Sequence, residues 1–262
     1  MTEQENILQC KGVRAKLGAV QILNGTALAV EKGACMGIIG PNGSGKTTFF
    51  NALSGFIPLR GGSIAFKGEE ISKLPPYKRA RLGIGRVFQN SGVFREMTAL
   101  ENMLTALESR DGLLGTMFPW SRKLKGLKTE ARGILETVGL TKHLLSKASS
   151  LSGGQLRLLE IARTLAGGAE MLLMDEPTAG VSPKMKGELT AVLQELKKMG
   201  KTILIIEHDM NFIEQLADKI SVFDSGKVVL DGTAQEVKSS PMLQEIYFGG
   251  STSKTPPLSV GK

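Results

Sequence analysis

The pattern of apolar and polar positions divides the chain into a β-rich first part, a helical middle part and a last part in which helices and strands alternate. In roughly the first ninety residues, short apolar or alternating segments predict strands at 22–30, 34–39 and 62–68. Between about 97 and 145, apolar residues recur at the spacing of amphipathic helices. The pattern therefore predicts a helical insertion between two stretches of sheet.

The last third of the chain alternates between the two kinds of element. Helices are predicted at 155–165, 184–199 and 210–217, and strands at 171–174, 202–206, 220–223 and 228–230. The strand Thr202–Ile206 is apolar except for its first residue, which is typical of a parallel sheet covered on both faces. The fold class is therefore α/β. The final residues, 249–262, are rich in Gly, Ser, Thr and Pro and predict a disordered tail.

Length and composition are those of an ordinary globular protein, with 262 residues of which 41% are apolar and 22% charged. No stretch has the roughly 20 mostly apolar residues of a transmembrane helix, and the acidic first residues do not resemble a signal peptide. We expect a chain that neither spans a membrane nor is secreted. Cys10 and Cys35 have no metal-site spacing and predict buried thiols, although a disulfide between them is possible in principle.

The formal net charge of +8 is concentrated in one part of the chain. Residues 110–150 contain eight Lys and Arg against three Asp and Glu, whereas 151–262 has a slight excess of acids. The run Trp120 to Lys128 contains four bases and no acid, which suits an anionic lipid, an acidic partner or nucleic acid, or a solvated loop. Trp120 is the only aromatic residue in this run, fewer than nucleic-acid-binding surfaces usually present.

The strongest chemical signal is a match to the phosphate-binding pattern G-x-x-x-x-G-K-[ST]. The match consists of Gly40, Pro41, Asn42, Gly43, Ser44, Gly45, Lys46, Thr47 and Thr48. A predicted strand precedes it and a predicted helix, 46–53, follows, so backbone N–H groups and a helix N-terminus converge on a phosphate. Lys46 would neutralise the β- and γ-phosphates, and the Thr47 hydroxyl would bind Mg²⁺.

Polar residues also follow two of the buried strands. Asp175 and Glu176 follow the strand at 171–174, at the end where open α/β sheets bind their ligands. Asp175 is placed to hold Mg²⁺, and Glu176 to accept a proton from an attacking water. His208 follows the strand Thr202–Ile206 and suits a contact with the γ-phosphate or that water. His143 is expected on a helix surface and needs no role.

A further candidate anion site is the run Ser152-Gly153-Gly154-Gln155, which opens a predicted helix. Free amides, a hydroxyl and the helix dipole favour an anion there. The alternative is that Ser152 is simply a helix N-cap preceding flexible glycines.

These elements, in this order, resemble the ATP-binding subunit of an ABC transporter. Residues 40–48 match its Walker A motif, 171–176 its Walker B motif with the catalytic glutamate, and 151–155 its signature. Gln89 matches the Q-loop glutamine and His208 the switch histidine. The resemblance implies a P-loop NTPase core with an antiparallel β subdomain and a helical subdomain at about 95–150, all in a single domain, 1–248.

The resemblance also implies the site and its partners. Catalysis is assigned to Glu176, His208, Lys46 and Gln89, metal binding to Thr47, Gln89 and Asp175, and nucleotide binding to 40–48 and 152–155. The cofactors are ATP and Mg²⁺. Two identical or homologous subunits would enclose ATP, and the pair would drive membrane permease subunits, and indirectly a substrate-binding protein, from the cytoplasmic face of the membrane. Docking is expected in the segment 90–107.

A narrower resemblance is to the larger ATPase subunit of branched-chain amino-acid importers. It is carried by residues 92–102, 207–210 and 241–249 and by the basic insertion at 108–132. Urea importers and lipopolysaccharide exporters have similar endings and are the alternatives. Two departures concern Leu17, where the family usually has an aromatic residue that stacks on adenine, and Ser182, where many members have Asp.

Two other classes of function compete with a transporter ATPase. A soluble ABC protein acting on nucleic acid would use the basic insertion, but such proteins generally have two cassettes or coiled-coil arms with metal-binding cysteines. A regulatory nucleotide binder would not need Lys46, Glu176 and His208 together. The chain is therefore interpreted as an ATPase, with no nucleic-acid partner expected.

Overall fold

The computed structural model describes residues 5–88, 92–111 and 120–248. Gln89 and the predicted tail, 249–262, therefore lie outside the described residues. The strands are β1 Asn6–Leu17, β2 Val20–Glu31, β3 Cys35–Ile39, β4 Leu59–Phe66, β5 Glu69–Glu70, β6 Ile84–Val87, β7 Met171–Asp175, β8 Thr202–Ile206, β9 Lys219–Asp224 and β10 Lys227–Gly232. The helices are α1 Lys46–Ser54, α2 Pro76–Leu82, α3 Ala99–Asp111, α4 Trp120–Thr137, α5 Gly153–Ala166, α6 Pro183–Lys198, α7 Met210–Glu214, α8 Ala234–Ser239 and α9 Pro241–Phe248.

The strands form two sheets, as expected for the predicted fold class. One is antiparallel, in the order β2-β1-β4-β5, and the other has the order β10-β9-β3-β8-β7-β6. In the second sheet only β10 runs antiparallel to its neighbour. Every residue of β3, β7 and β8 is buried, which confirms the prediction drawn from the apolar run at 202–206.

The order of the central strands determines where the polar residues lie. Strand β8 lies between β3 and β7, and all three run parallel. The loop at 40–48, the Asp175-Glu176 pair and His208 follow the carboxyl ends of these strands. They therefore share one edge of the sheet, which is where open parallel sheets bind ligands.

Two apolar cores hold the sheets and helices together. One joins the antiparallel sheet, α1 and one face of the parallel sheet, with Phe49, Phe50 and Phe223 fully buried in it. The other joins the opposite face of the parallel sheet to α3, α4, α5 and α6. Burying an aromatic or leucine side chain stabilises a fold by roughly 1.5–3 kcal/mol, so the first core fixes α1 firmly below the loop that precedes it.

Arg79 of α2 contacts the C-terminal end of α1. Its guanidinium is 2% exposed and donates hydrogen bonds to four carbonyl oxygens, those of Ala52, Leu53, Ser72 and Leu74. The last four carbonyls of a helix have no partner within the helix, and a cation is favoured at that end. Arg79 supplies donors there, adding to the N–H of Gly55, which also donates to the carbonyl of Ala52. The sequence analysis did not identify α2 or this role of Arg79.

Several expectations are refined by the structure. The basic run from Trp120 to Lys128 lies in α4, so its interpretation as a solvated loop is wrong. The helix predicted at 210–217 ends earlier, at Glu214, and α8 and α9 were not predicted. Cys10 and Cys35 are buried free thiols, as predicted, and burial raises the pKa of Cys35 to about 12. No helix in the described part of the chain is long and apolar enough to cross a bilayer.

Candidate functional site

The segment that follows β3 and includes the first residues of α1 (residues 40–48, here the phosphate loop) adopts a conformation that depends on glycine. Gly40 has φ of 147°, and a Cβ there would lie 2.2 Å from the carbonyl oxygen of Phe223. Gly45 has φ of 102° and is the N-cap of α1 without a side-chain cap. Only glycine tolerates both conformations cheaply, so the pattern of glycines is explained by the backbone path that brings the loop to the helix N-terminus.

Two polar side chains of the phosphate loop, those of Ser44 and Lys46, have the surroundings that suit contact with an anion. The Ser44 hydroxyl oxygen is buried and has no hydrogen-bond partner among the residues that the structure describes. Lys46, which is 7% exposed, donates from Nζ to the carbonyl oxygens of Gly40 and Pro41 at 2.8 and 2.9 Å. Burial lowers the pKa of Lys46, while the nearby carboxylates of Glu176 and Asp175 act in the opposite direction. An unpaired buried hydroxyl is costly, and a phosphate oxygen is the kind of partner that would satisfy it.

Asp175 ends β7 and lies beside the first turn of α1. Its side chain is nearly buried, and burial raises its pKa. A hydrogen bond from the Thr47 hydroxyl and the positive charge of Arg86 partly offset that increase. The Arg86 Nη2 lies 3.8 Å from Asp175 Oδ2. Thr47 and Asp175 thus present a hydroxyl and a carboxylate together, the oxygen ligands that Mg²⁺ prefers.

Glu176 has a strained backbone and a specific partner. Its φ is 48°, in the left-handed region that few non-glycine residues adopt, and its N–H donates to Ile206 at the end of β8. Its Oε1 lies 2.9 Å from His208 Nε2. Strained residues cluster at functional sites, and here the strain directs a carboxylate to the edge where the phosphate loop and His208 lie.

Glu207 is a residue of this site that the sequence analysis did not single out. It is 3% exposed, and its Oε1 accepts hydrogen bonds from the N–H and hydroxyl of Thr178 at 2.8 and 2.6 Å. Its Oε2 accepts one from the N–H of His208 at 3.1 Å. Glu207 therefore ties the turn after Glu176 to the residue that contacts Glu176. The available signal was a charged residue directly after a fully apolar strand.

Asp209 supports the same loop from the other side. It caps α7 by accepting a hydrogen bond from the N–H of Phe212, and its Oδ2 lies 2.7 Å from Lys186 Nζ on α6. The hydrogen bond from Lys186 lowers the pKa of Asp209. The loop that holds His208 is therefore fixed on both sides of it, by Glu207 to Thr178 and by Asp209 to α6 and α7.

The Ser-Gly-Gly segment (residues 152–155) begins α5. The Ser152 hydroxyl accepts from the Gln155 N–H, and the Gln155 side chain accepts from the Ser152 N–H, which makes a capping box. A Cβ on Gly153 would meet open space, whereas one on Gly154 would lie 2.1 Å from the Met185 side chain. Ser152 is thus a helix cap, as one of the two interpretations expected, and the free face of the segment is at Gly153.

His143 does not lie on a helix surface without a contact, as had been expected. It ends a 3-10 turn, Thr141–His143, and is half-buried. Its Nε2 lies 2.9 Å from Gln155 Nε2. Because an amide nitrogen can only donate, the imidazole nitrogen accepts in this contact. His143 therefore holds the side chain that completes the cap of α5.

The predicted docking segment, 90–107, lies beside surface cavities. Its described part contributes Gly92 and Ala106 to a cavity of about 210 Å³, which Arg86 and Phe88 also line. A larger cavity of about 350 Å³, between α1, α2 and β6, is also lined by these two residues. Phe56, Tyr77 and Phe88 are exposed around it. The apolar surface is therefore broader than the predicted segment and includes residues of α2 and of the turn after α1.

Known proteins were compared with the chain and its fold. The profile of the family described as "ABC transporter" matches residues 23–179. The high-affinity branched-chain amino acid transport ATP-binding protein BraF of Pseudomonas aeruginosa is 39% identical over 249 residues, which cover 93% of this chain and 98% of that protein.

Solved structures give the same result. An ATP-binding cassette of an ABC transporter in its ADP conformation has a TM-score of 0.81 and 33% identity, covering 94% of this chain and 99% of that one. A second cassette, solved as a dimer in a post-hydrolysis state with ADP and Pi, has a TM-score of 0.72 and 25% identity, covering 87% of this chain and 98% of that one. The predicted fold and family are confirmed.

Proposed function

The chain belongs to the ABC transporter family, and on that premise we propose that it is the ATP-hydrolysing subunit of an importer for branched-chain amino acids. The observation that carries the hydrolytic activity is the contact of Glu176 with His208 at the sheet edge that also holds the phosphate loop. Relatives such as BraF, which is similar over nearly its whole length, support the transported class.

The roles of the phosphate-binding residues follow from their surroundings. The amides of the phosphate loop and the unpaired Ser44 hydroxyl would bind the β- and γ-phosphates. The Lys46 ammonium would exchange the carbonyls of Gly40 and Pro41 for phosphate oxygens, which carry full negative charge. Thr47 and Asp175 would hold Mg²⁺, which neutralises charge that develops on the transferred phosphate.

The water that attacks the γ-phosphate would be activated by Glu176. This residue has a partly exposed carboxylate and a left-handed backbone that aims it toward the ligand edge. His208 would hold the Glu176 carboxylate in place and contact the γ-phosphate, and Glu207 would fix His208. Gln89, outside the described residues, is proposed to complete the metal and water contacts.

A second subunit, identical or homologous, is proposed to complete the nucleotide site. The Ser-Gly-Gly segment starts α5, which packs on α3, α4 and β6, whereas the phosphate loop starts α1 between the two sheets. One chain therefore presents two phosphate-binding helix starts on different parts of the fold. Two copies facing each other would place the Ser-Gly-Gly segment of one against the phosphate loop of the other. The pair would act on permease subunits at the cytoplasmic face of the membrane.

Turnover and dimerisation of three variants test the hydrolytic site. Wild type should hydrolyse ATP, and Glu176→Gln should be slower by about 100-fold or more because a general base is lost. Glu176→Gln should also form dimers on gel filtration only when ATP is present. Lys46→Ala should bind no nucleotide and form no dimers. Glu188→Gln makes the same change on the exposed face of α6 and should behave as wild type. Equal turnover by wild type and Glu176→Gln would contradict the proposed role of Glu176.

Uptake by cells tests the transported class. Cells that lack this chain should lose uptake of labelled leucine, isoleucine and valine, and wild type but not Glu176→Gln should restore it. Urea uptake and lipopolysaccharide export should be unaffected. Normal leucine uptake together with a defect in either of those processes would replace the proposed substrate class with that alternative.

A further inference from the structure

Arg86 joins the aromatic surface cavity to the proposed metal site. It lies on β6 and is half-buried, with Nη1 donating to Asn51 Oδ1 at 2.6 Å and Nη2 lying 3.8 Å from Asp175 Oδ2. The guanidinium carbon is 5.8 Å from the ring centroid of Phe56 and 5.4 Å from that of Phe88. These rings also contact each other edge to face, with 5.9 Å between their centroids.

The two sides of Arg86 have different surroundings. On one side Asp175 is nearly buried at the end of β7. On the other, Phe56 and Phe88 are 52% and 45% exposed at the rim of the cavity of about 350 Å³. Arg86 Nε is buried and has no hydrogen-bond partner in the described part of the chain. The guanidinium is thus held by two ring faces, one amide oxygen and one carboxylate, and its buried Nε–H is left without an acceptor among the described residues.

A cation in this position opposes a second cation at Asp175. Mg²⁺ and a guanidinium would both be attracted to the same carboxylate and would repel each other across a few ångströms. Burial weakens the screening that water provides on an open surface. The arrangement therefore stabilises the Asp175 carboxylate while no metal is bound and reduces its affinity for a metal.

We propose that Arg86, held against Phe56 and Phe88, is a positioning residue that sets the affinity of the Asp175 site for a divalent cation. This inference rests on the proposed function, because it concerns the metal that accompanies the nucleotide. The aromatic pair keeps the guanidinium near Asp175.

Binding of Mn²⁺, followed by electron paramagnetic resonance, tests the inference without relying on turnover. The protein is saturated with ADP and titrated with Mn²⁺, and the signal of free Mn²⁺ gives the dissociation constant. Arg86→Met should lower this constant by roughly tenfold, because removing a unit charge a few ångströms away has an effect of that order in a half-buried site. Arg86→Lys keeps the charge and should remain within about threefold of wild type.

Arg163→Met is the matched control. Arg163 is also half-buried and lies over an exposed ring, 4.8 Å from the centroid of Phe94. Its Nε is also buried, with no hydrogen-bond partner in the described ranges. Its nearby carboxylate is Glu160 rather than Asp175. Arg163→Met should therefore leave the Mn²⁺ dissociation constant unchanged. In turnover assays only Arg86→Met should lower the Mg²⁺ concentration that gives half-maximal rate.

The outcomes separate this inference from the proposed function. If wild type with ADP binds no more Mn²⁺ than ADP alone, the proposed nucleotide and metal site fails. If wild type binds Mn²⁺ and Arg86→Met binds it equally or more weakly, the positioning role of Arg86 is overturned and the proposed function stands. An equal change in Arg86→Met and Arg86→Lys would indicate a packing role and would also overturn the inference.

Discussion

Replacement of Glu207 tests whether the catalytic edge depends on a buried brace behind it. Glu207 accepts three hydrogen bonds, from the N–H and hydroxyl of Thr178 and from the N–H of His208. Glu207→Gln has a single acceptor oxygen, so an NH₂ group must face at least one N–H donor. Glu207→Ala removes all three acceptors and leaves the donors of Thr178 in a buried position.

The magnitudes follow from the number of bonds lost. Hydrogen bonds to a charged group contribute about 1.5–3 kcal/mol each, so Glu207→Gln should lower the free energy of unfolding by about 2 kcal/mol. Glu207→Ala should lower it by roughly 3–5 kcal/mol, the range for breaking a buried charged network. Both variants loosen the loop that places His208 2.9 Å from Glu176. Turnover should fall by on the order of 10–100-fold, as it does when reacting groups are misplaced.

The assay combines three measurements on the same preparations. Urea unfolding gives the free energy of unfolding, ATPase assays at saturating ATP give kcat, and a fluorescent nucleotide gives the dissociation constant. Nucleotide affinity should be unchanged, because among the described residues Glu207 accepts hydrogen bonds from Thr178 and His208, whereas Lys46 donates to Gly40 and Pro41. Glu188→Gln on the exposed face of α6 serves as the control for the substitution itself.

Two results would refute the reasoning at different points. If Glu207→Gln is as stable as wild type, the three acceptor contacts do not contribute as the structure indicates. If both variants are destabilised but retain full kcat, Glu207 stabilises the fold without positioning His208. A loss of nucleotide affinity equal to the loss of kcat would place the effect at the phosphate loop instead.

Three further predictions concern other parts of the site and its support. Arg79→Met should lower the free energy of unfolding by roughly 3–5 kcal/mol, because four carbonyls lose a buried donor. Arg81→Met on the same helix is the control and should change it by less than about 0.5 kcal/mol, because Arg81 is exposed. Urea unfolding of both variants distinguishes these outcomes. His143→Ala, made in the Glu176→Gln background, should weaken the ATP-dependent dimer on gel filtration, because the Gln155 side chain loses its contact with His143. Nucleotide binding by the monomer should be unchanged. An unaltered dimer would show that this contact is dispensable. Leu17→Tyr should tighten ATP binding about fivefold or more. Leu17 is 61% exposed, and an aromatic ring there offers stacking on adenine worth roughly 1–3 kcal/mol. Unchanged affinity in a fluorescence titration would contradict this.

The fold class and the ligand edge could be predicted because they depend on local patterns. A strand buried on both faces is apolar along most of its length, so β3, β7 and β8 stand out as short apolar runs in the sequence. Parallel strands end at a common edge, so polar residues that directly follow such strands are brought together. The contact of Glu176 with His208, 32 positions apart, follows from this rule.

The supporting contacts could not be predicted because they join elements with no common pattern. Arg79 reaches carbonyls of α1 from α2, and Arg86 reaches Asp175, which lies 89 positions further along the chain, across the pairing of β6 with β7. An arginine in a short helix or strand is most often exposed, and its sequence neighbours do not reveal a buried partner. The capping contact of His143 was missed for the same reason, since it depends on how a 3-10 turn packs against α5.

The two proposed phosphate-binding helix starts differ in their unsatisfied groups, and this difference implies an order of binding. In the phosphate loop, the buried Ser44 hydroxyl has no partner among the described residues, so a bound phosphate would remove an existing cost within one subunit. In the Ser-Gly-Gly segment, Ser152 and Gln155 each accept a hydrogen bond from the other's N–H, and what the segment offers a ligand is the open face at Gly153. If two copies enclose a nucleotide as proposed, the phosphate loop should therefore bind first and hold the ligand by itself. The Ser-Gly-Gly segment of the partner should add its smaller contribution only afterwards, which makes nucleotide binding the cause of dimerisation rather than its consequence.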